Sequence, residues 1–217
     1  MSSYAVIDLE MCSVNRGITE IPYPHKNEII EIGAVLLDDS FEVKDKFMTY
    51  VSPEYGKVDS FIQELTGITP QDTDGAPKIK EALEAFTSWL PDDAEIVTWS
   101  ENDDAQLRSE MSAKGIRIPK LEKALDTYID CQIIFSEKMD SPKVYRLSEA
   151  LTITDTDYED GAHDALVDAY NTALLFGKLQ QNQTLELNRY YRSENEKEHL
   201  SSNPFADLFK DFDFDEE

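Results

Sequence analysis

At 217 residues, with 41% hydrophobic and 10% aromatic content, the chain is long enough for one compact core and a short appendage. Forty-five acidic against 20 basic residues leave a formal charge of −25, which repels phosphate backbones at long range and argues against a non-specific duplex binder or a membrane-surface protein. Two cysteines, Cys12 and Cys131, are too few for a disulfide framework, and there is no signal-length or membrane-spanning apolar run, so a reducing, cytoplasmic setting is the expectation.

The segment from Tyr4 to Glu10 is short and apolar, as a central strand would be. Residues 14–26 are polar, include two prolines and read as a loop. A second β-rich run covers Glu28 to Leu37, Asp38-Asp39-Ser40 supplies turn chemistry, and Phe41 to Val51 reads as a third strand. Leu65 to Ile68 is a short insert before a turn. Pro77 sits where a helix can begin; Ile79, Leu83, Phe86 and Leu90 follow at helical spacing, and Pro91 ends the run. Glu95 to Trp99 is a predicted fourth strand, Asp103 to Lys114 a helix, and Tyr128 to Phe135 a fifth strand. A short helix over Arg146 to Leu151 and a longer one over His163 to Leu179 complete the pattern. Strands first, then strand–helix alternation, predict an α/β domain with a mixed sheet. After about residue 180 the composition shifts, and residues 193–217 hold nine acidic residues and two lysines. The expected division is a domain over residues 1–180 and an acidic extension over 181–217.

Asp8 and Glu10 lie two apart on a predicted strand, so their side chains leave one face. Two carboxylates on an otherwise apolar strand repel each other and cost desolvation, and a hard cation with oxygen ligands such as Mg²⁺ would hold them there. In a chain this acidic the pair alone is a common pattern. Asp103 stands at a helix start, where Asn102 or Asp103 could simply be an N-cap, and the neighbouring Asp104 contends with Asp103 for the ligand position. His163 and Asp168 are five apart, which does not share a helical face. They can reach one pocket if His163 precedes the helix and Asp168 lies one turn inside it, with Asp164 near the cap.

In order, Asp-x-Glu, Trp-x-x-x-Asp before a helix and His-x-x-x-x-Asp on the last helix resemble the histidine-containing branch of the DnaQ-like (RNase T/DEDDh) 3′–5′ exonuclease superfamily. The phrases Val6-Ile-Asp-Leu-Glu10, Glu28-Ile-Ile-Glu-Ile-Gly-Ala34, Leu65-Thr-Gly-Ile-Thr69 and His163-Asp-Ala-Leu-Val-Asp-Ala169 look most like the enhanced-RNAi exonuclease group, which includes bacterial KinA-pathway-inhibitor-like proteins. The resemblance spans roughly residues 4–180 and departs at one place. Where the group has Gly-x-aromatic-Asp after the tryptophan, this chain has Ser100-Glu101-Asn102-Asp103; Trp99 and Gln106-Leu107 fix the register on Asp103.

The resemblance implies a ribonuclease H-like mixed five-stranded sheet flanked by helices. It implies two Mg²⁺ ions (Mn²⁺ a possible substitute), about 3.5–4 Å apart, on Asp8, Glu10, Asp103 and Asp168. Asp8 would bridge them, Glu10 and Asp168 would serve the ion carrying the attacking water, and Asp103 would serve the other. His163 would take that water's proton. The substrate would be a single-stranded 3′ end, RNA favoured over DNA, and the product a nucleoside 5′-monophosphate. Met11, Cys12, Leu65 and Ile68 would pack on the last bases, although Leu65 and Ile68 read equally well as core. Lys143 and Arg146 would touch phosphates. Lys114, Arg117, Lys120 and Lys123 read as a solvated basic surface. In the extension, Asn203 and Pro204 could start a helix presenting Phe205, Leu208, Phe209 and Phe212, docked on the domain itself in preference to a protein partner. Two other readings are a regulatory binding module on a nuclease fold and a phosphodiesterase for very short oligonucleotides.

Overall fold

The computed structural model describes residues 3–14, 23–161, 163–181, 184–189 and 191. β1 (Ser3–Ser13), β2 (Asn27–Leu37) and β3 (Val43–Tyr50) form an antiparallel meander, followed by α1 (Ser60–Thr66), α2 (Pro70–Thr73) and α3 (Ile79–Trp89). Then come β4 (Ala94–Thr98), α4 (Glu101–Ala113), α5 (Pro119–Leu125), β5 (Ile129–Asp130), α6 (Cys131–Lys138), α7 (Leu147–Ile153) and α8 (Ala165–Gln181). The sheet order is β3-β2-β1-β4-β5, with β4 parallel to both β1 and β5. This is the mixed five-stranded, helix-flanked sheet expected of the ribonuclease H-like class.

The central strand explains why the core has two halves. Ala5, Ile7 and Leu9 of β1 point to a cluster with Leu83 and Phe86 of α3, Leu107 of α4 and Leu121 of α5. Val6 points the other way, to Phe135 of α6 and to Ala169 and Phe176 of α8. A strand buried on both faces reads as a continuous apolar run, which is the pattern of residues 5–9 apart from Asp8. Strand alternation sends Asp8 and Glu10 to the same side as Val6, the side that α8 covers.

Several element boundaries differ from expectation. The predicted strand over Tyr128 to Phe135 is a strand only at Ile129–Asp130. Asp130 accepts a hydrogen bond from the Ile133 N–H at 3.0 Å and so caps α6, and the apolar run after it is helical. A short apolar run does not distinguish strand from buried helix by periodicity. Neither Asn102 nor Asp103 caps α4, since that position belongs to Ser100. Leu65 to Ile68 includes the end of α1, where Gly67 closes the helix at φ 75 in the left-handed region. His163 precedes α8, at φ 68. Beyond α8, Leu185 packs into the second core half and the Asn188 N–H donates to the Ile153 carbonyl at 2.6 Å. The predicted helix around Phe205 to Phe212 lies outside the described residues.

Candidate active site

Four carboxylates from three elements converge beside the carboxyl end of β4. Pairing between β1 and β4 stops at Val6, so Leu9 lies beyond it, and its N–H donates to Asp103 from the first turn of α4. Asp103 is thereby tied to the strand that carries Asp8 and Glu10. Asp168 enters from the first turn of α8, where its Oδ2 accepts from the His163 N–H at 2.9 Å. Glu10, His163 and Asp168 each bring a potential ligand atom within 4.8 Å of the others. Asp104 turns away: Arg108 Nε donates to both its oxygens at 2.9 and 2.8 Å, and Arg108 Nη2 is anchored on the Leu125 carbonyl at 2.6 Å.

The electrostatics record the crowding. Burial, and then the charges of Asp103, Asp168, Glu10 and Glu31, hold Asp8 well above the usual carboxylate range. Glu10 is pushed up to about 8, first by burial and then by Asp168, Glu31 and Asp103. Asp103 is pushed up to about 7 by burial, against the pull of the Leu9 N–H and with a further push from Asp168. Burial also raises Asp168, although the His163 N–H and the imidazole oppose it. Among the described residues, no lysine or arginine is one of the main influences on these four. The donor set is all oxygen plus one imidazole, dense in negative charge, and suits a hard divalent cation.

A family model described as an exonuclease, RNase T, matches residues 5–176. The chain belongs to the RNase T exonuclease family. It is 33% identical to ERI1 exoribonuclease 2 of Danio rerio over an alignment of 172 positions that covers 68% of this chain and 30% of that protein. It is 30% identical to ERI1 exoribonuclease 2 of Homo sapiens over an alignment of 199 positions that covers 80% of this chain and 28% of that protein. The chain thus spans less than a third of the length of these curated relatives. The fold matches the nuclease domain of 3′hExo, described as a DEDDh family member bound to rAMP, with a TM-score of 0.70 at 24% identity, over 86% of this chain and 96% of that one. The likeness to ERI1 exoribonucleases agrees with the grouping that the sequence motifs resemble, and the structural match shows the fold. Divalent metal use is a property of that family, and the carboxylate cluster fits it.

Within this RNase T domain the residues expected to meet substrate are distributed unevenly. Met11 is half-buried against the first core half, while Cys12 and Ile68 are buried together with Ile30 and Ile62. That small cluster seats α1 beside the far end of β1. On the outer face of α1, Phe61 and Leu65 stay 66% and 40% exposed, one helical turn apart. The sequence reading missed Phe61, and its signal would have been the i, i+4 spacing to Leu65. Lys143 pairs with Glu149 and lies 4.9 Å over the Tyr145 ring, and Arg146 is exposed just before α7. Lys114 is not part of a solvated basic surface, because the end of α4 reaches across β2 and buries its ammonium between Glu28 at 2.6 Å and Glu110 at 2.9 Å. Arg117 and Lys120 do pair at the surface, with Glu122 and Asp92. Glu31, opposite Glu10 across the β1/β2 pair, was also missed. Among the described residues no helix is long and apolar enough to cross a membrane.

Proposed function

We propose that this chain is a metal-dependent 3′–5′ exonuclease that shortens single-stranded ends, RNA in preference to DNA, and releases nucleoside 5′-monophosphates. The convergence of Asp8, Glu10, Asp103 and Asp168 beside His163, in a chain similar to exoribonucleases, carries this reading. Two divalent ions on the four carboxylates, Mg²⁺ with Mn²⁺ as substitute, would neutralise them and clamp the attacking and leaving oxygens of the phosphoryl transfer. Asp168 holds the His163 backbone at the mouth of the cluster, and the exposed imidazole takes the proton from the attacking water. Phe61 and Leu65 offer an apolar ridge to unpaired bases, to which Met11 adds a half-buried side chain, and Lys143 and Arg146 meet phosphates upstream. The activity resides in residues 1–180. Residues 181–217 are a separate acidic extension, of which Leu185 packs on that domain. A cytoplasmic setting accords with Cys12 and Cys131, both free and buried.

The formal charge of −25 favours one variant of this reading, in which very short oligonucleotides are the preferred substrates because long strands are repelled. A 5′-labelled series of RNA and DNA strands of graded length, incubated with Mg²⁺, tests both. Stepwise shortening by the wild type but not by Asp8→Ala is the expected outcome; no shortening of any strand, or equal shortening by the variant, removes the enzyme. Phe61→Ala is expected to raise KM about tenfold with kcat little changed, because base–aromatic stacking contributes about 1–3 kcal/mol. An unchanged KM on single strands would take Phe61 out of the binding surface.

A further inference from the structure

We infer that Glu31 is a positioning residue for the carboxylate cluster, a role that rests on the exonuclease reading above. It holds the first turn of α8 against β2, so that His163 and Asp168 stand over Glu10.

Glu31 is only 1% exposed and lies directly opposite Glu10 in the antiparallel register. Like charges so placed destabilise a strand pair, and burial of a carboxylate adds to the cost. The compensating contact comes from the helix. The Ala165 N–H, at the first residue of α8, donates to Glu31 Oε2 at 3.2 Å. The opening N–H groups of a helix have no partner within it, and an anion there also meets the positive end of the helix dipole. Asp164 serves the donor two residues further on, accepting from the Val167 N–H at 3.0 Å, and its carbonyl accepts from the Asp168 N–H at 2.9 Å. The first turn is therefore fixed from within by Asp164 and from the sheet by Glu31.

Gly33 makes this reach possible. A Cβ there would stand 2.2 Å from the Ala165 carbonyl carbon, so the helix backbone comes down onto β2 only because the side chain is absent. Strand alternation puts Glu31 on the same face as Gly33, within reach of the incoming N–H. The turn carries His163 at φ 68, a left-handed conformation that a non-glycine residue keeps only where its surroundings over-determine it. The bond from the His163 N–H to Asp168 and the bond from Ala165 to Glu31 supply that constraint on either side of Asp164. The carboxylate thus aligns two members of the cluster through their backbone, without joining them.

Two variants of the full chain separate acceptor from charge. Glu31→Gln keeps an oxygen for the Ala165 N–H, and Glu31→Leu keeps bulk without an acceptor; Glu31→Ala gives the same contrast if the leucine does not fold. The readouts are Mn²⁺ affinity by direct titration of the metal alone, amide exchange at the start of α8, and kcat and KM on a 3′-labelled RNA strand. Glu31→Leu is expected to weaken Mn²⁺ binding about 10–100-fold, the usual effect of losing a group that orients ligands. It should also lower kcat with KM little changed and speed exchange at Ala165. Glu31→Gln should stay near wild type in all three. Wild-type values in Glu31→Leu, or a loss in Glu31→Gln as large as in Glu31→Leu, overturn the proposal. If the wild type shortens no strand while the Mn²⁺ and exchange differences persist, the exonuclease reading fails and the positioning role stands.

Discussion

Asp8→Asn is expected to abolish 3′-end shortening while making the metal-free protein more stable at pH 8. The activity loss should be on the order of 10³-fold or more, because several kcal/mol of charge stabilisation disappear with a central ligand. The gain in stability follows from the direction of the shifts. Asp8, Glu10 and Asp103 all lie above their ordinary values, chiefly through burial, with Glu10 at about 8 and Asp103 at about 7. A carboxylate whose folded value is raised binds its proton more tightly in the folded state. Its contribution to stability is full below the unfolded value and is lost as pH rises through the folded one. Metal-free wild type should therefore lose stability between about pH 4 and pH 8. A divalent cation competes with those protons, so Mg²⁺ should raise the wild-type Tm more at pH 8 than at pH 5. Removing one charge relieves the repulsion on the other three, which flattens the pH slope and shrinks the Mg²⁺ shift. Thermal unfolding in chelator and in Mg²⁺ at pH 5, 6.5 and 8 measures this. An Asp8→Asn protein with the wild-type slope and Mg²⁺ shift would show that these carboxylates do not form one electrostatic unit.

The parts of the site that were legible in the sequence are those where chemistry interrupts a pattern. Asp8 and Glu10 break an apolar run at period two, and Trp99 with Gln106-Leu107 sets the register for Asp103. His163 and Asp168 were placed by the requirement that one precede the helix and the other lie a turn inside it. The carboxylates of β2 were not legible, because an acidic residue in a strand ordinarily faces water. A register shift between the two strands lets Glu28 and Glu31, three apart, pair with Cys12 and Glu10, two apart. Such a bulge has no signature in residue spacing. The fifth strand failed for a different reason. Ile133, Ile134 and Phe135 have the β propensity of a strand, but the cap made by Asp130 and the packing of Phe135 into the second core half decide for a helix. Lys114 was misread because its burial depends on where the end of α4 lands, a tertiary fact.

Lys114 carries the other large effect: Lys114→Met should cost about 3–5 kcal/mol, the usual range for breaking a buried ion pair by removing one partner. Its ammonium serves two buried carboxylates, and Glu54 approaches at 3.4 Å. Glu28 also accepts from the Glu54 and Tyr55 N–H groups at 3.1 and 2.7 Å and from the Gly56 N–H. Burial works to raise Glu28, but Lys114 and these three donors override it and hold the carboxyl below its usual range. Glu110 Oε2 accepts from the Ile29 N–H at 2.9 Å, beside the register shift, and burial keeps Glu110 high despite Lys114. With a depressed folded value, Glu28 contributes stability above its unfolded value and loses it as pH falls through the folded one. Without Lys114 that depression is largely removed, and two carboxylates face each other without a cation. They relieve the strain by taking up protons, so the deficit should be largest near pH 8 and shrink toward pH 5. Lys114→Met combined with Glu110→Gln should recover part of the loss at pH 8, since the two residues share one network. Urea midpoints at both pH values, with the slope checked for constancy, measure the deficit. A loss below about 1 kcal/mol would place Lys114 in the class of exposed pairs. An equal loss at the two pH values would mean the ammonium acts chiefly on the faces of Tyr23 and Tyr55, whose stacked rings lie 5.6 and 6.0 Å from it, because methionine keeps the aliphatic stem.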